Sequence, residues 1–265
     1  MKNTIVSELV NQVGPLLQNI YTDLAQPGVK KVGIALETVL DLSNTILFPI
    51  KLLNERTKLL TQRNMQTYQV KLDKVPIEDI VTVPPELGIP ILEKLTYITN
   101  ETIADLFTSL LTSASTTKTA HLGHPGFLRV LENLSIDEAK LIHFLSKNKS
   151  AFPCISMRAV NIDNGYKIET TNLTGLEKRL EFEFPDNDDL YLDNLTSLGI
   201  IEYFEDRVIA NEELYSELEH MYSHFRLEIL EEYKDSKTFK ELSIIKGSYN
   251  ITGFGRQFLK AISTY

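Results

Sequence analysis

The stretch from Val75 to Ser135 leaves this chain the least freedom in how it folds. It reads VPIEDIVTVPPELGIPILEKLTYITNETIADLFTSLLTSASTTKTAHLGHPGFLRVLENLS, a run of short apolar helices whose starts and stops are all marked. Pro84 and Pro85 suit the first turn of a helix, where a missing N–H costs little, and Leu87, Ile91, Leu92 and Leu95 then share one side. A second helix is predicted from about Asn100, because Ile103, Leu106, Phe107, Leu110 and Leu111 keep the i, i+3, i+4, i+7, i+8 spacing of an apolar stripe. The Ser/Thr-rich run from Ser113 to Thr119 ends it. The third begins at His124-Pro125, carries Phe127, Leu128 and Leu131, and stops at Leu134.

Upstream, Ile5, Leu9, Val13, Leu16, Leu17, Ile20 and Leu24 repeat at helical spacing, with a kink or break expected at Gly14-Pro15 and a turn at Pro27-Gly28. A long helical pattern follows from Val29 to about Tyr68. It is apolar up to Leu53, is bent or split at Pro49, and ends in a polar helical segment from Gln62 to Val70. Lys30, Lys31, Glu37, Asp41 and Lys51 leave only nine uncharged residues, Leu42 to Ile50, too few for a membrane span. The apolar helix is therefore expected to pack on protein. Lying on a bilayer surface, or inserting as a hairpin on activation, is the alternative. Glu8 and Gln12 interrupt the apolar core that a signal peptide needs, so none is expected.

Downstream, Ser135-Ile136-Asp137-Glu138 has the form of a capping box, which predicts a helix from Ile136 to about Ser146 with Leu141, Ile142, Phe144 and Leu145 on its apolar face. After Pro153 the texture changes to strands. Asn164-Gly165 is a hairpin signal between Ile162 and Tyr166-Lys167-Ile168. Leu180, Phe182 and Phe184 alternate with charged residues as a half-buried strand does, ending at Pro185. A helix from about Asp188 to Leu198 closed by Gly199, a strand from Ile200 to Phe204, another from Ser248 to Ile251, and a last helix capped by Thr252 follow the order of a winged-helix domain. Between the two wing strands sits an insertion. There Leu214, Leu218, Met221, Tyr222, Phe225 and Ile229 define a helix of about five turns, with glutamates over much of its other face. The fold expected is mainly α, close to all-alpha: a helical region over residues 1–134 and a winged-helix-like α+β domain over 135–265, with the helical insertion at about 205–245.

The segments VPPELGIPILEKLTYITNETIADLFTSLLTSAS, AHLGHPGFLRVLENLS and DEAKLI resemble the bacterial abortive-infection alpha (Abi-alpha) family. The resemblance runs from about Val75 to the C-terminus and is strongest before Leu145. It implies a cytoplasmic bacterial protein of mainly helical fold with a role in defence against phage. It implies no reaction, since the family brings no established catalytic residues.

The net charge is −9, and all but one unit of it falls in residues 135–265. An acidic half disfavours phosphate, and the predicted reading helix carries Asp188, Asp189 and Asp193 with no Lys or Arg, so nucleic-acid binding is not expected. As a DNA-binding regulator the domain would have only Asn187 and Asn194 as readers, with Lys178, Arg179 and Arg207 reaching the backbone. The single cysteine, Cys154, fits a reducing compartment and a buried apolar position.

His121 and His124 are spaced three apart, but Gly123 and Pro125 break any helix there, and a metal would need His143 or a carboxylate to converge. His220 and His224 are spaced four apart, in HMYSH, which lacks the glutamate of a zincin. Pro185-Asp186-Asn187-Asp188-Asp189 offers oxygen ligands, yet has neither the glycine nor the distal glutamate of an EF-hand loop. Acids answering a helix dipole account for it. There is no Gly-x-Ser-x-Gly, no phosphate-binding Gly-rich loop and no Cys-x-x-Cys. No catalytic, cofactor-binding or metal-ligating residue is assigned, and no cofactor or small-molecule substrate. The expectation is a non-enzymatic, oligomeric phage-defence protein acting through protein contacts as sensor or effector, cytoplasmic with peripheral attachment at the inner membrane as the alternative.

Overall fold

The computed structural model describes residues 30–46, 55–148, 150–205 and 207–263. The periodic segment from Ile5 to Leu24 and the break expected at Pro49 lie outside the described residues. The chain divides into two compact units. One holds the described residues up to Ile136 together with those from Gln257, and the other is Asp137–Arg256.

The first unit contains α1 (Lys30–Ile46), α2 (Glu55–Asp73), α3 (Pro85–Leu95), α4 (Glu101–Ala114) and α5 (Pro125–Glu132). The three helices predicted between Val75 and Ser135 are α3, α4 and α5. Asn100 caps α4 by accepting the Ile103 N–H at 3.0 Å, and His124 Nδ1 accepts the Gly126 N–H at 2.9 Å before α5. Leu87, Ile91, Leu92, Leu95, Leu106, Phe107, Leu110 and Leu111 are buried, as the apolar stripes require. Packed against them, α1 buries Val32, Ala35 and Leu36, while α2 buries Tyr68 and Leu72 from a segment that reads as polar. Lys31 sets the junction of α1 with the end of α2: its ammonium donates to the carbonyls of Leu72, Asp73 and Val75 at 3.2, 3.0 and 2.5 Å. A cation there satisfies carbonyls left over at a helix end and answers the negative pole of the helix dipole.

The Ser/Thr run does end α4, and it does so while buried. Thr112, Ser115 and Thr116 donate their hydroxyls to carbonyls four residues back, and Ser113 donates to the Ala261 carbonyl at 2.5 Å. Hydroxyls that satisfy themselves on the backbone can enter a core without an unpaired donor.

The second unit is built on a four-stranded antiparallel sheet in the order β2-β1-β4-β3, with β1 Phe152–Asn161, β2 Tyr166–Leu173, β3 Ile201–Phe204 and β4 Phe239–Ile251. The fold is therefore mixed α+β, which corrects the all-alpha expectation. Asn164 takes φ 64° in the β1–β2 hairpin and the Gly165 N–H is held by Asp163 Oδ1 at 3.0 Å, so the hairpin forms where it was expected. The expected wing strands also pair, with Ile201 opposite Ile251 and Phe204 opposite Ser248. But β4 continues back to Phe239 and pairs along its other edge with β1, so the two strands form part of a larger sheet instead of a free-standing wing.

Helices of this unit are α6 (Ile136–Asn148), α7 (Leu176–Arg179), α8 (Asp188–Ser197), α9 (Glu212–Met221) and α10 (Ser223–Glu232), and α11 (Gly253–Ser263) starts here and ends in the first unit. The single five-turn insertion helix is corrected to two, α9 and α10, broken at Tyr222 (φ −106°, ψ 20°). Tyr222 is fastened by its hydroxyl, which accepts the Gly175 N–H at 2.9 Å, and that anchor sets the break. Tyr215, Leu218 and Tyr222 pack on Ile155, Met157 and Leu173, so the insertion covers one face of the sheet.

The strand expected from Leu180 to Phe184 is absent. Glu181 sits at φ 50°, which breaks an extended run, and the N–H groups of Glu183 and Phe184 go to the Asp137 carboxylate at 2.9 and 3.0 Å instead of to a neighbouring strand.

Candidate interaction site

Helix α8 holds the position of the reading helix in a winged-helix DNA-binding domain, a use its acids disfavour, and its placement follows from what lies beneath it. Tyr191, Leu192 and Leu195 point inward and are buried. Asp137 anchors its approach: the carboxylate takes the two N–H groups of Glu183 and Phe184, the Tyr191 hydroxyl at 3.2 Å and the Lys140 ammonium at 2.9 Å. Burial raises that carboxyl, but the ammonium and the two N–H groups outweigh it and hold it below the usual carboxylate range. One turn further along, Asn194 donates to Glu138 Oε1 at 2.5 Å. Asn194 is thereby turned inward.

The outward face of α8 presents Asp189, Leu190, Asp193, Thr196 and Ser197, all exposed, with Phe184 exposed just before it. It is acidic and apolar, with no basic residue. The cations considered as backbone contacts are engaged elsewhere: Lys178 lies over the Tyr222 ring at 4.5 Å, Arg179 pairs with Glu217 at 3.1 Å, and Arg207 lies over Phe204 at 3.7 Å.

Behind this helix is a polar centre that sequence reasoning did not find. Glu177 is buried, accepts the Tyr222 hydroxyl at 2.5 Å through Oε1, and has no hydrogen-bond partner at Oε2 among the described residues. Asp188 is pushed up to about 6, first by burial, then by the charges of Asp189 and Glu177, with the Asp189 N–H opposing. Tyr222 is raised well above its ordinary value by burial and by Glu177. Cys154 is fully buried and pushed up to about 12 by burial, helped by the Asp189 charge, so it holds no thiolate near neutrality and is no nucleophile.

The first unit has a second such centre. Lys71, buried on α2, donates to the Asp105 carbonyl at 2.7 Å, Thr108 Oγ1 at 3.0 Å and Ser109 Oγ at 2.5 Å, and pairs with Asp105 Oδ1 at 2.7 Å. Burial lowers its ammonium, against the carboxylate of Asp105, which raises it. Nearby Tyr68 shares a 2.5 Å hydrogen bond with Ser115 and is raised by burial. The signal for this centre was available. Tyr68, Lys71, Leu72 and Val75 keep helical spacing, which places Lys71 on the buried stripe.

The histidine and carboxylate groups are dispersed. His121 is exposed in a short 3₁₀ turn and His124 caps α5. His220 and His224 fall on either side of the break at Tyr222, and His224 packs on Phe225 at 4.2 Å. Asp186 and Asn187 belong to a 3₁₀ turn and Asp188 and Asp189 open α8. Among the described residues, no three His, Cys, Asp or Glu side chains gather as metal ligands, and no helix is long and apolar enough to cross a membrane.

Fold and site together define a two-unit α+β protein in which the outward face of α8 is acidic and the buried polar groups mostly serve the backbone. The chain belongs to the abortive infection alpha family, whose model it matches over residues 59–262, and that membership points to a role in abortive infection. A similar solved structure is an uncharacterized protein from the hydrocarbon-degrading marine bacterium Alcanivorax borkumensis SK2, 23% identical, with a TM-score of 0.35, covering 56% of this chain and 96% of that one. No curated protein matches.

Proposed function

We propose that this chain is a non-enzymatic phage-defence protein that works in the cytoplasm through contacts with other proteins, as sensor or effector, with the winged-helix-like end of the second unit as its contact surface. One observation carries the reading. The outward face of α8 combines Asp189 and Asp193 with exposed Leu190 and, beside it, Phe184, and has no Lys or Arg. Such a face repels a phosphate backbone and suits a basic protein surface with an apolar centre. Family membership supplies the setting. The bilayer alternative for the N-terminal apolar helix is disfavoured by α1, whose Val32, Ala35 and Leu36 are buried within its own unit.

The test is phage challenge of cells expressing the parent chain or a variant carrying Asp189→Lys and Asp193→Lys. Parent-expressing cells are expected to lower the efficiency of plaquing, and the variant to lose most of that protection while its melting temperature stays within a few degrees. Full protection by the variant overturns the reading.

A further inference from the structure

Helix α10 lies on the second unit without being packed into it. None of its residues, Ser223–Glu232, is buried, whereas the preceding α9 buries Tyr215 and Leu218. Phe225 and Ile229, four apart on one side, rest on the cluster around Ile155, Met157 and Leu173, and both stay partly exposed. Leu227, on the opposite side, is 66% exposed. Apart from α9, no described element runs close along its backbone. The helix ends are no better supported: no side chain caps the N-terminus, no acid stands in the first turn and no base in the last.

A helix of this length does not hold itself in water, and two half-covered side chains return little of the entropy that ordering its backbone costs. What keeps α10 in place is therefore found where the chain enters and leaves it. On entry, the Tyr222 hydroxyl donates to Glu177 Oε1 at 2.5 Å and accepts the Gly175 N–H at 2.9 Å, while its ring stacks on Phe225 at 5.9 Å. On exit, the Tyr233 hydroxyl donates to Glu169 Oε1 at 2.6 Å and its ring lies against Phe239 at 4.9 Å. The two fastenings are unequal. Tyr222 is buried, whereas Tyr233 is only half-buried and shares its carboxylate with Lys167, which pairs with Glu169 Oε2 at 3.0 Å.

We propose that α10 is a strap that opens as a unit: Tyr233 lets go of Glu169, the helix comes away about Tyr222, and α9 and the sheet stay folded. Opening lifts Phe225 and Ile229 off the apolar cluster and bares the part of it that they cover. The inference goes beyond the contact reading above and does not depend on it, since it concerns the insertion and not α8.

The test is native-state hydrogen exchange of the full chain, followed residue by residue at fixed pH. After correction for intrinsic rates, the amides of Leu227–Glu232 in the parent are expected to exchange about a hundredfold or more faster than the slowest amides of α9 and β4. Tyr233→Phe removes the hydroxyl and keeps the ring. It is expected to speed α10 by a further factor of about ten or more, because a hydrogen bond to a carboxylate is lost, while α9 and β4 keep their rates. Ile229→Ala is expected to act in the same direction, and Leu227→Ala, on the outward side, to leave α10 within about twofold of the parent. A variant that is merely less stable speeds α9 and β4 along with α10. That outcome for Tyr233→Phe overturns the inference, as does no change in α10. So does a parent in which α10 exchanges as slowly as α9.

Discussion

Two aspartates of the second unit pull stability in opposite directions with pH. Asp137 is held below the usual carboxylate range by the Lys140 ammonium and two N–H groups despite its burial. Its contribution is complete above the unfolded value of about 3.9 and disappears as pH falls through the lower folded value. Asp137→Ala leaves the Glu183 and Phe184 N–H groups without their acceptor and is expected to lower unfolding free energy by ~3 kcal/mol at pH 7, read by urea denaturation. Asp188 behaves oppositely. Its folded value of about 6 exceeds the unfolded one, so the folded state holds the extra proton between these values and stability declines as pH climbs through that window. Asp188→Asn is expected to be more stable than the parent by about 1–2 kcal/mol at pH 7, allowing for partial exposure, with the difference gone below about pH 4. Equal stability at pH 7 contradicts the burial of that carboxyl.

Among the elements, the junction of β3 with α11 is the least tolerant. The Thr252 hydroxyl accepts the Gly255 N–H at 2.8 Å and donates to the Gly199 carbonyl at 2.5 Å, drawing the start of α11 onto the strand. A Cβ on Gly255 would lie 2.1 Å from the Ile200 carbonyl oxygen, a backbone atom that cannot rotate away. Gly255→Ala is therefore expected to destabilise by about 3 kcal/mol, measured as a lowered midpoint of thermal or urea unfolding. This junction was half legible in the chain. Gly199 and Thr252 read as a helix stop and a helix cap and serve as both, but nothing local to either says that they bond to each other. The same divide runs through the rest. Helices α3, α4 and α5 follow from prolines, caps and apolar spacing, which are local signals. The segment Leu180 to Phe184 alternates like a strand and fails as one because its N–H groups are claimed by Asp137, more than forty residues earlier in the chain. The insertion splits at Tyr222 for a similar reason, its hydroxyl being held at Gly175 and Glu177.

At the scale of the whole molecule, the acids expected on α8 were legible as composition, and their exposure on one face follows from helical spacing. The buried centres at Lys71 and Glu177 were less so, because a charged side chain reads as solvated until something covers it. Both centres look inward. Lys71 is surrounded by the carbonyl, hydroxyl and carboxylate groups of α4, and Glu177 by the tyrosine that divides the insertion. Groups so enclosed hold helices in place, and protection against phage should then depend on what the surface shows. Plaquing efficiency compared between two variants tests this most directly. Glu177→Gln keeps an acceptor for Tyr222 while removing a buried charge, and Asp189→Lys with Asp193→Lys reverses the exposed face. Protection kept by the first and lost by the second is the predicted result. Protection lost with Glu177→Gln in a normally folded chain, and kept when the face is reversed, would place the function in a buried reaction centre and contradict the account.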